Sequence, residues 1–271
     1  MGMKTWFITG ASRGFGRIWT QAALARGDQV AGVVRDPASV TELRDHHPDT
    51  FLPLPGDVTD AASIGAAVAR AHATFGRLDV VVCNAGYAQA GAIEEVGLDD
   101  VRDVFDTNVV GVVATIQAAL PLLREQSGGH ILTVSSIGGL VSFPTAGLYT
   151  ATKHAVEALS QSLAGEVRPF GIRVTIIEPG SFDTTFRQSA RHAAAMPIYD
   201  PVREAVMRGF DPSHSGDPLA TPEALFAVVD SDEPPLRLIL GSRTLPVIRK
   251  FYADRMVEWE TWRAVSDKAQ G

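Results

Sequence analysis

Residues 5–9, Thr-Trp-Phe-Ile-Thr, form a short apolar and β-branched run that leads directly into Gly10-Ala-Ser-Arg-Gly14-Phe-Gly16, and a helical pattern follows through about Arg26. The run predicts a buried strand. A strand, a glycine-rich turn and a helix in that order constrain the chain more than any other feature in it. Glycines let the backbone turn tightly and approach an anionic group, while the helix start offers free N–H groups and the positive end of its dipole. A plain strand-to-helix connection has no need of three glycines so placed.

Strand and helix signals then alternate. Strands are predicted over 29–35, 51–54, 78–83, 130–135 and 172–178, and helices from about Pro37, over 60–75, 99–123 and 149–168. The strand runs are nearly all apolar, as parallel strands covered on both faces must be. The alternation predicts right-handed βαβ crossovers and an α/β fold with a doubly wound parallel sheet. With 271 residues, 45% of them hydrophobic, the chain reads as a single domain over 1–271. A net charge of −7 leaves no nucleic-acid footprint. No apolar run approaches the ~18 residues of a membrane span, no leader pattern is evident at the start, and no metal site is expected. The lone cysteine, Cys83, sits in a buried-strand pattern and reads as a small core residue; single-cysteine usage suits a reducing cytosol, so a cytoplasmic location is expected.

Tyr149 and Lys153 lie four residues apart in a helical stretch, hence on one face. A tyrosine with an ordinary pKa of about 10 is a poor acid or base at neutral pH. An ammonium beside it favours the phenolate and is expected to lower that value.

Together these sites resemble the classical short-chain dehydrogenase/reductase family. The spacing Thr9-Gly10-x-x-x-Gly14-x-Gly16 matches that family rather than G-x-G-x-x-G. Asn84-Ala85-Gly86, Asn108, Ser136 (thirteen residues before Tyr149), Pro179-Gly180 and Thr184 follow in the family's order. The resemblance covers about residues 4–241 and implies a Rossmann-type sheet of about seven strands, the last at 236–240. It implies a catalytic set of Asn108, Ser136, Tyr149 and Lys153, acting on a carbonyl or alcohol. Tyr149 would be the general acid, Lys153 would hold the nicotinamide ribose, Ser136 would stabilise the substrate oxygen, and Asn108 would hold a water beside Lys153. Strand alternation puts Ser135 on the opposite face. The nucleotide would lie against Gly10, Ser12, Arg13, Gly14, Phe15, Gly16, Arg35, Asp57, Val58, Asn84, Ala85, Gly86, Tyr149, Lys153, Pro179, Gly180 and Thr184. Asp57 suits either the adenine amino group or a local turn, and Thr185 could replace Thr184.

Cofactor choice is decided after the second strand, where an acid selects NAD and an arginine accommodates a 2′-phosphate. The strand ends Val33-Val34-Arg35, and Arg13 is a second cation. NADP(H) is therefore favoured, with NAD(H) as the alternative should Asp36 reach the ribose. Residues 182–222, rich in proline, read as a substrate lid, and 245–266 as a C-terminal helical extension. The candidate pocket wall is mostly apolar: Tyr87, Gln89, Ile137, Phe143, Leu148, Phe182, Phe186, Met196, Ile198, Tyr199, Met207 and Phe210. It suggests a ketone or aldehyde with an apolar body. Arg187, Arg191 and His192 read as a solvated helix face. A silent nucleotide-binding sensor, and an epimerase or dehydratase with tightly held NAD, are the competing classes. The resemblance further implies a homodimer or homotetramer.

Overall fold

The structure is a computed structural model that describes residues 2–209 and 211–271. Its elements are, in chain order, β1 (Thr5–Thr9), α1 (Gly14–Ala25), β2 (Gln29–Val34), α2 (Thr41–His46), β3 (Phe51–Pro55), α3 (Ala61–Phe75) and β4 (Val80–Cys83). They continue with β5 (Gln89–Ala90), α4 (Leu98–Phe105), α5 (Gly111–Glu125), β6 (Gly129–Val134), α6 (Gly147–Val167) and β7 (Ile172–Pro179). Last come β8 (Arg191–His192), α7 (Asp200–Arg208), α8 (Thr221–Val229), β9 (Arg237–Leu240) and α9 (Thr244–Lys268).

Seven strands form one parallel sheet in the order β3-β2-β1-β4-β6-β7-β9. The expected Rossmann-type architecture is therefore present. Strand order reverses between β1 and β4, so the glycine turn after β1 and Asn84-Ala85-Gly86 after β4 flank one crevice at the carboxyl edge.

Alternation along the strands feeds two cores. Phe7, Val33, Val81, Cys83 and Ile131 face the layer of α3, α5 and α6. Trp6, Ile8, Val30, Val82 and Leu132 face the layer of α1 and α8. Each large side chain buried this way contributes roughly 1.5–3 kcal/mol. Trp19, fully buried, donates its indole N–H to Thr221 Oγ1 at 2.9 Å, which pins α1 to α8. Cys83 is buried, and burial pushes its thiol up to about 12, which suits a core residue rather than a nucleophile.

α4 and α5 are joined by a single π turn, Asp106–Val110, into one long helical unit. Among the described residues, Leu98–Glu125 is the one helix long and apolar enough to cross a membrane. Apolar runs in the sequence concealed this, because polar residues interrupt them. In the fold its Val112, Ile116, Ala119 and Leu123 pack into the core.

The segment 182–222 is more structured than a proline-rich loop suggests. Its β8 pairs in parallel with β5. Glu95, whose side chain is 1% exposed, accepts from Met196 N at 2.7 Å and Arg203 Nη1 at 2.5 Å. It also accepts from Ala92 N at 2.7 Å. These bonds, the one from Met196 foremost, hold its pKa down to about 2. The C-terminal extension is one helix, α9, rooted by buried Thr244 and Ile248; from Met256 onward its residues are exposed.

Candidate active site

The glycine turn meets the needs read from its sequence. Gly10 and Gly14 have φ of 71° and 54°, a region that penalises a Cβ. A Cβ on Gly16 would overlap the Gly10 carbonyl and lie 2.5 Å from Asn84 Nδ2. Asn84 Nδ2 donates to the Thr9 carbonyl at 2.9 Å, and Thr9 Oγ1 accepts from the backbone of Asn84 (3.0 Å) and Ala85 (3.1 Å). Thr9 thus locks the two crevice loops together, a role sequence reasoning missed. The open N–H groups at the start of α1 and this cradle fit a dinucleotide pyrophosphate.

Two residues assigned to the nucleotide turn their side chains elsewhere. Phe15 stacks on Trp19 at 5.1 Å and meets Phe182 edge-on at 5.4 Å, so its ring belongs to the core and only its backbone faces the crevice. Val58 is 8% exposed and packs against Gly111, where a Cβ would lie 2.8 Å from its own Cβ.

At the adenosine end β2 stops at Val34, leaving Arg35 exposed. Asp36 Oδ1 accepts from Ala38 N at 2.9 Å and caps the short turn Pro37–Val40, so this acid is already engaged locally. Among the described residues the Arg13 and Arg35 side chains make no hydrogen bond or salt bridge. Asp57 Oδ1 accepts from Thr59 N (3.0 Å) and Oγ1 (2.8 Å), and the Thr59 backbone bond foremost holds its carboxyl below the usual value. Its turn role is thus present, and the Arg35 charge adds to the lowering.

The catalytic candidates converge around the start of α6. Asn108, fully buried in the π turn, donates to the Tyr87 carbonyl at 2.9 Å and to Thr152 Oγ1 at 3.1 Å. π turns of this kind re-aim single side chains and recur at functional sites. Gly86 makes room for it, since a Cβ there would sit 3.0 Å from Asn108 Oδ1 and 3.8 Å from Lys153 Nζ. Ser136 caps the next turn by accepting from Gly138 N at 3.0 Å, and its hydroxyl also bonds Tyr149. Ser135 points to the other side: it is 2% exposed, and its Oγ would overlap a Cβ on Gly139.

The expected lowering of the Tyr149 pKa is absent from the protein itself. Burial pushes the phenol up to about 12, and the Ser136 hydrogen bond only opposes this. Lys153 Nζ instead donates to the Val134 carbonyl at 2.7 Å and stands 5.8 Å from the Tyr149 ring centroid. Burial brings Lys153 down to about 8, against the pull of Glu157.

On the nicotinamide side, Gly180 N donates to Leu240 O at 3.0 Å behind buried Pro179. Thr184 is half-buried and Thr185 exposed, so Thr184 is the one turned inward. Phe186 approaches Tyr149, ring to ring, at 5.7 Å. Phe182, expected in the pocket wall, instead fills space against Phe15 and Gly216. Gln89 is buried in β5, and Phe143, Ile198 and Met207 are exposed at 37%, 76% and 64%. Tyr199 turns its hydroxyl to Glu94 at 2.6 Å. Phe210 lies outside the described residues. Arg191 and His192 form a strand rather than a helix face, and Arg191 pairs with Asp103 at 2.9 Å and stacks over Tyr87 at 4.6 Å. Their separation from Asp103 and Tyr87 along the chain hid this pairing from any local pattern.

The profile of the short chain dehydrogenase family matches residues 4–195. The chain is 37% identical to the oxidoreductase BOA17 of Botryotinia fuckeliana over 271 residues, 97% of this chain and 98% of that one. A crystal structure of a short-chain dehydrogenase from Streptomyces avermitilis superposes with a TM-score of 0.92 at 37% identity, covering 99% of this chain and 98% of its own. The 3-ketoacyl-(acyl-carrier-protein) reductase of Brucella melitensis, solved in complex with NADH, has a TM-score of 0.75 at 27% identity over 89% and 98% of the two chains. With the cradle, the switch-point crevice and the clustered Ser136, Tyr149 and Lys153 already in place, this chain belongs to the short-chain dehydrogenase/reductase family and is a nicotinamide-nucleotide-dependent oxidoreductase.

Proposed function

We propose that the protein is an NADP(H)-dependent oxidoreductase that interconverts a ketone or aldehyde of apolar body and its alcohol. The reading rests on one observation above others: Ser136, Tyr149 and Lys153 meet at the carboxyl edge of the sheet beside the glycine cradle. When bound, the nicotinamide nucleotide supplies or accepts the hydride. Tyr149 carries the proton at physiological pH, and giving it up in carbonyl reduction depends on the Lys153 ammonium favouring the phenolate. Ser136 donates toward the developing oxyanion. Lys153 presents its ammonium to the ribose and the phenol, and Asn108 orders the loop of Gly86 and Tyr87 against them.

NADP(H) is favoured because the Arg35 and Arg13 side chains form no hydrogen bond or salt bridge while Asp36 is engaged by Ala38 N. The NADH complex of the Brucella reductase supports the second reading, NAD(H). Phe186 beside Tyr149 supports a substrate of apolar body. A homo-oligomeric state is consistent with the exposed Leu98, Val110 and Leu159 on the long helices. Oxidation of NADPH and of NADH is to be followed with a panel of apolar ketones and aldehydes, beside Tyr149→Phe. NADPH-dependent turnover lost in the variant is the expected result; a preference for NADH overturns the cofactor assignment, and turnover surviving in Tyr149→Phe overturns the mechanism.

A further inference from the structure

One turn beyond Lys153, Glu157 is 6% exposed, and Glu178, which directly precedes Pro179-Gly180, is fully buried. Arg237 of β9 faces both. Its Nε lies 3.2 Å from Glu157 Oε2 and 3.3 Å from Glu178 Oε1. That nitrogen has one hydrogen, which is directed to Glu157, while Nη2 donates to Gln161 Oε1 at 2.8 Å. Both oxygens of Glu178 and Oε1 of Glu157 are left buried with no hydrogen-bond donor, although the two side chains are within hydrogen-bonding reach of each other. Gly139 closes the space: a Cβ there would lie 2.9 Å from Glu157 Cγ and 3.0 Å from the Lys153 carbonyl oxygen. The charged groups facing the pair are Arg237 from β9 and Lys153 from α6.

Two ionised carboxylates in this dry space would repel each other and leave their oxygens unsatisfied. A single proton removes the repulsion and pairs two of the three bare oxygens. It turns one acceptor into a donor aimed at the other carboxylate, and it leaves one negative charge between two cations.

We propose that Glu157 and Glu178 share one proton, and that the charge remaining on Glu157 keeps Lys153 an ammonium while the shared bond ties α6 to β7. The two glutamates are positioning residues, acting on the reaction through Lys153 and through the strand that ends in Pro179-Gly180. Burial, with Glu157 adding to it, pushes Glu178 up to about 8, in line with a retained proton.

Two readouts need no turnover. The infrared spectrum at pH 6.5 is expected to contain a protonated-carboxyl C=O band that Glu178→Gln removes. Glu178 binds its proton more tightly folded than unfolded. The stability it contributes is complete below its ordinary value near 4.5 and is lost as pH rises to about 8. The amide of Glu178→Gln imitates the protonated acid at every pH, so its Tm relative to wild type is expected to climb by roughly 3 °C per pH unit across that window. Absence of the band, or parallel Tm curves, overturns the shared proton, whatever the substrate proves to be. The third readout rests on the oxidoreductase reading. Glu157→Gln should move the alkaline limb of kcat/KM lower by about one pH unit, with partial return in Glu157→Asp. An unmoved limb overturns the coupling to Lys153. Should Glu157→Gln fail to fold, the Glu178→Gln measurements decide the proton, and the limb in Glu157→Asp decides the coupling.

Discussion

Asn108 clasps the backbone of Tyr87 from both ends of its amide: Oδ1 accepts from Tyr87 N at 3.0 Å, and Nδ2 donates to the Tyr87 carbonyl at 2.9 Å. The π turn aims the side chain across the crevice to residue 87, which carries the loop of Asn84-Ala85-Gly86. The clasp makes Asn108 a structural member of the site, whatever it does with water.

Asn108→Ala leaves the N–H and C=O of half-buried Tyr87 without this partner. It is expected to lower the unfolding free energy by about 3 kcal/mol, to be read from urea denaturation. An unchanged midpoint would show that the clasp is dispensable.

The two adjacent serines should separate cleanly. Ser136→Ala is expected to reduce kcat by about 10²–10³-fold, as removal of an oxyanion donor does, while Ser135→Ala keeps turnover near wild type. Steady-state assays of both variants against one ketone decide it, and the reverse order would refute the assignment. Tyr149→Phe should lose about 10²–10⁴-fold with nucleotide affinity retained.

The pH profile follows from burial. Lys153 holds its proton below about 8, so carbonyl reduction should fall as pH rises through that value. The phenol stays protonated to about 12, so no separate tyrosine limb is expected below pH 10. A limb that persists in Lys153→Arg would show that another group titrates.

Stability in acid should report His130. Thr175 Oγ1 gives its hydrogen to the Pro235 carbonyl at 2.6 Å, so His130 Nε2 must donate to it across 2.9 Å, and buried Nδ1 is left without a partner. Burial holds the imidazole down to about 3 from an ordinary 6.5. The unfolded chain binds the proton first, so stability present above pH 6.5 is lost as pH falls toward 3, at about 1.4 kcal/mol per unit. His130→Gln should flatten that slope in denaturation curves taken from pH 7 to pH 4.

Arg35→Ala is expected to weaken NADPH binding about 10–100-fold, the value of one or two charge-assisted hydrogen bonds, with NADH affinity nearly unchanged. Equal losses for both nucleotides, measured by calorimetry, would place Arg35 away from the 2′-phosphate.

Much of this molecule was legible along the chain. Apolar runs located β1, β2, β3, β4, β6 and β7 to within a residue or two, and three glycines located the cradle, because strand burial and positive φ are demands that a few consecutive residues meet or fail. Motif spacing likewise placed Ser136, Tyr149 and Lys153. The end of β2 was read one residue late, at Arg35; the structure ends it at Val34, and Asp36 caps the turn two residues on.

What the chain alone did not determine depends on partners brought together from far apart. Phe182 reads as a pocket residue until the fold sets it against Phe15; Arg191 reads as part of a helix face until β8 pairs with β5 and brings it, still exposed, to Asp103. The direction of the Tyr149 shift was misjudged because helical spacing reports proximity to Lys153 but not burial, nor the Val134 carbonyl that takes the ammonium. Glu157, Glu178 and Arg237 are separate, ordinary charges in the sequence, and only the parallel register of β7 with β9 under α6 turns them into one buried group. Local conformation is encoded by neighbours in sequence, whereas desolvation and charge coupling are set by neighbours in space.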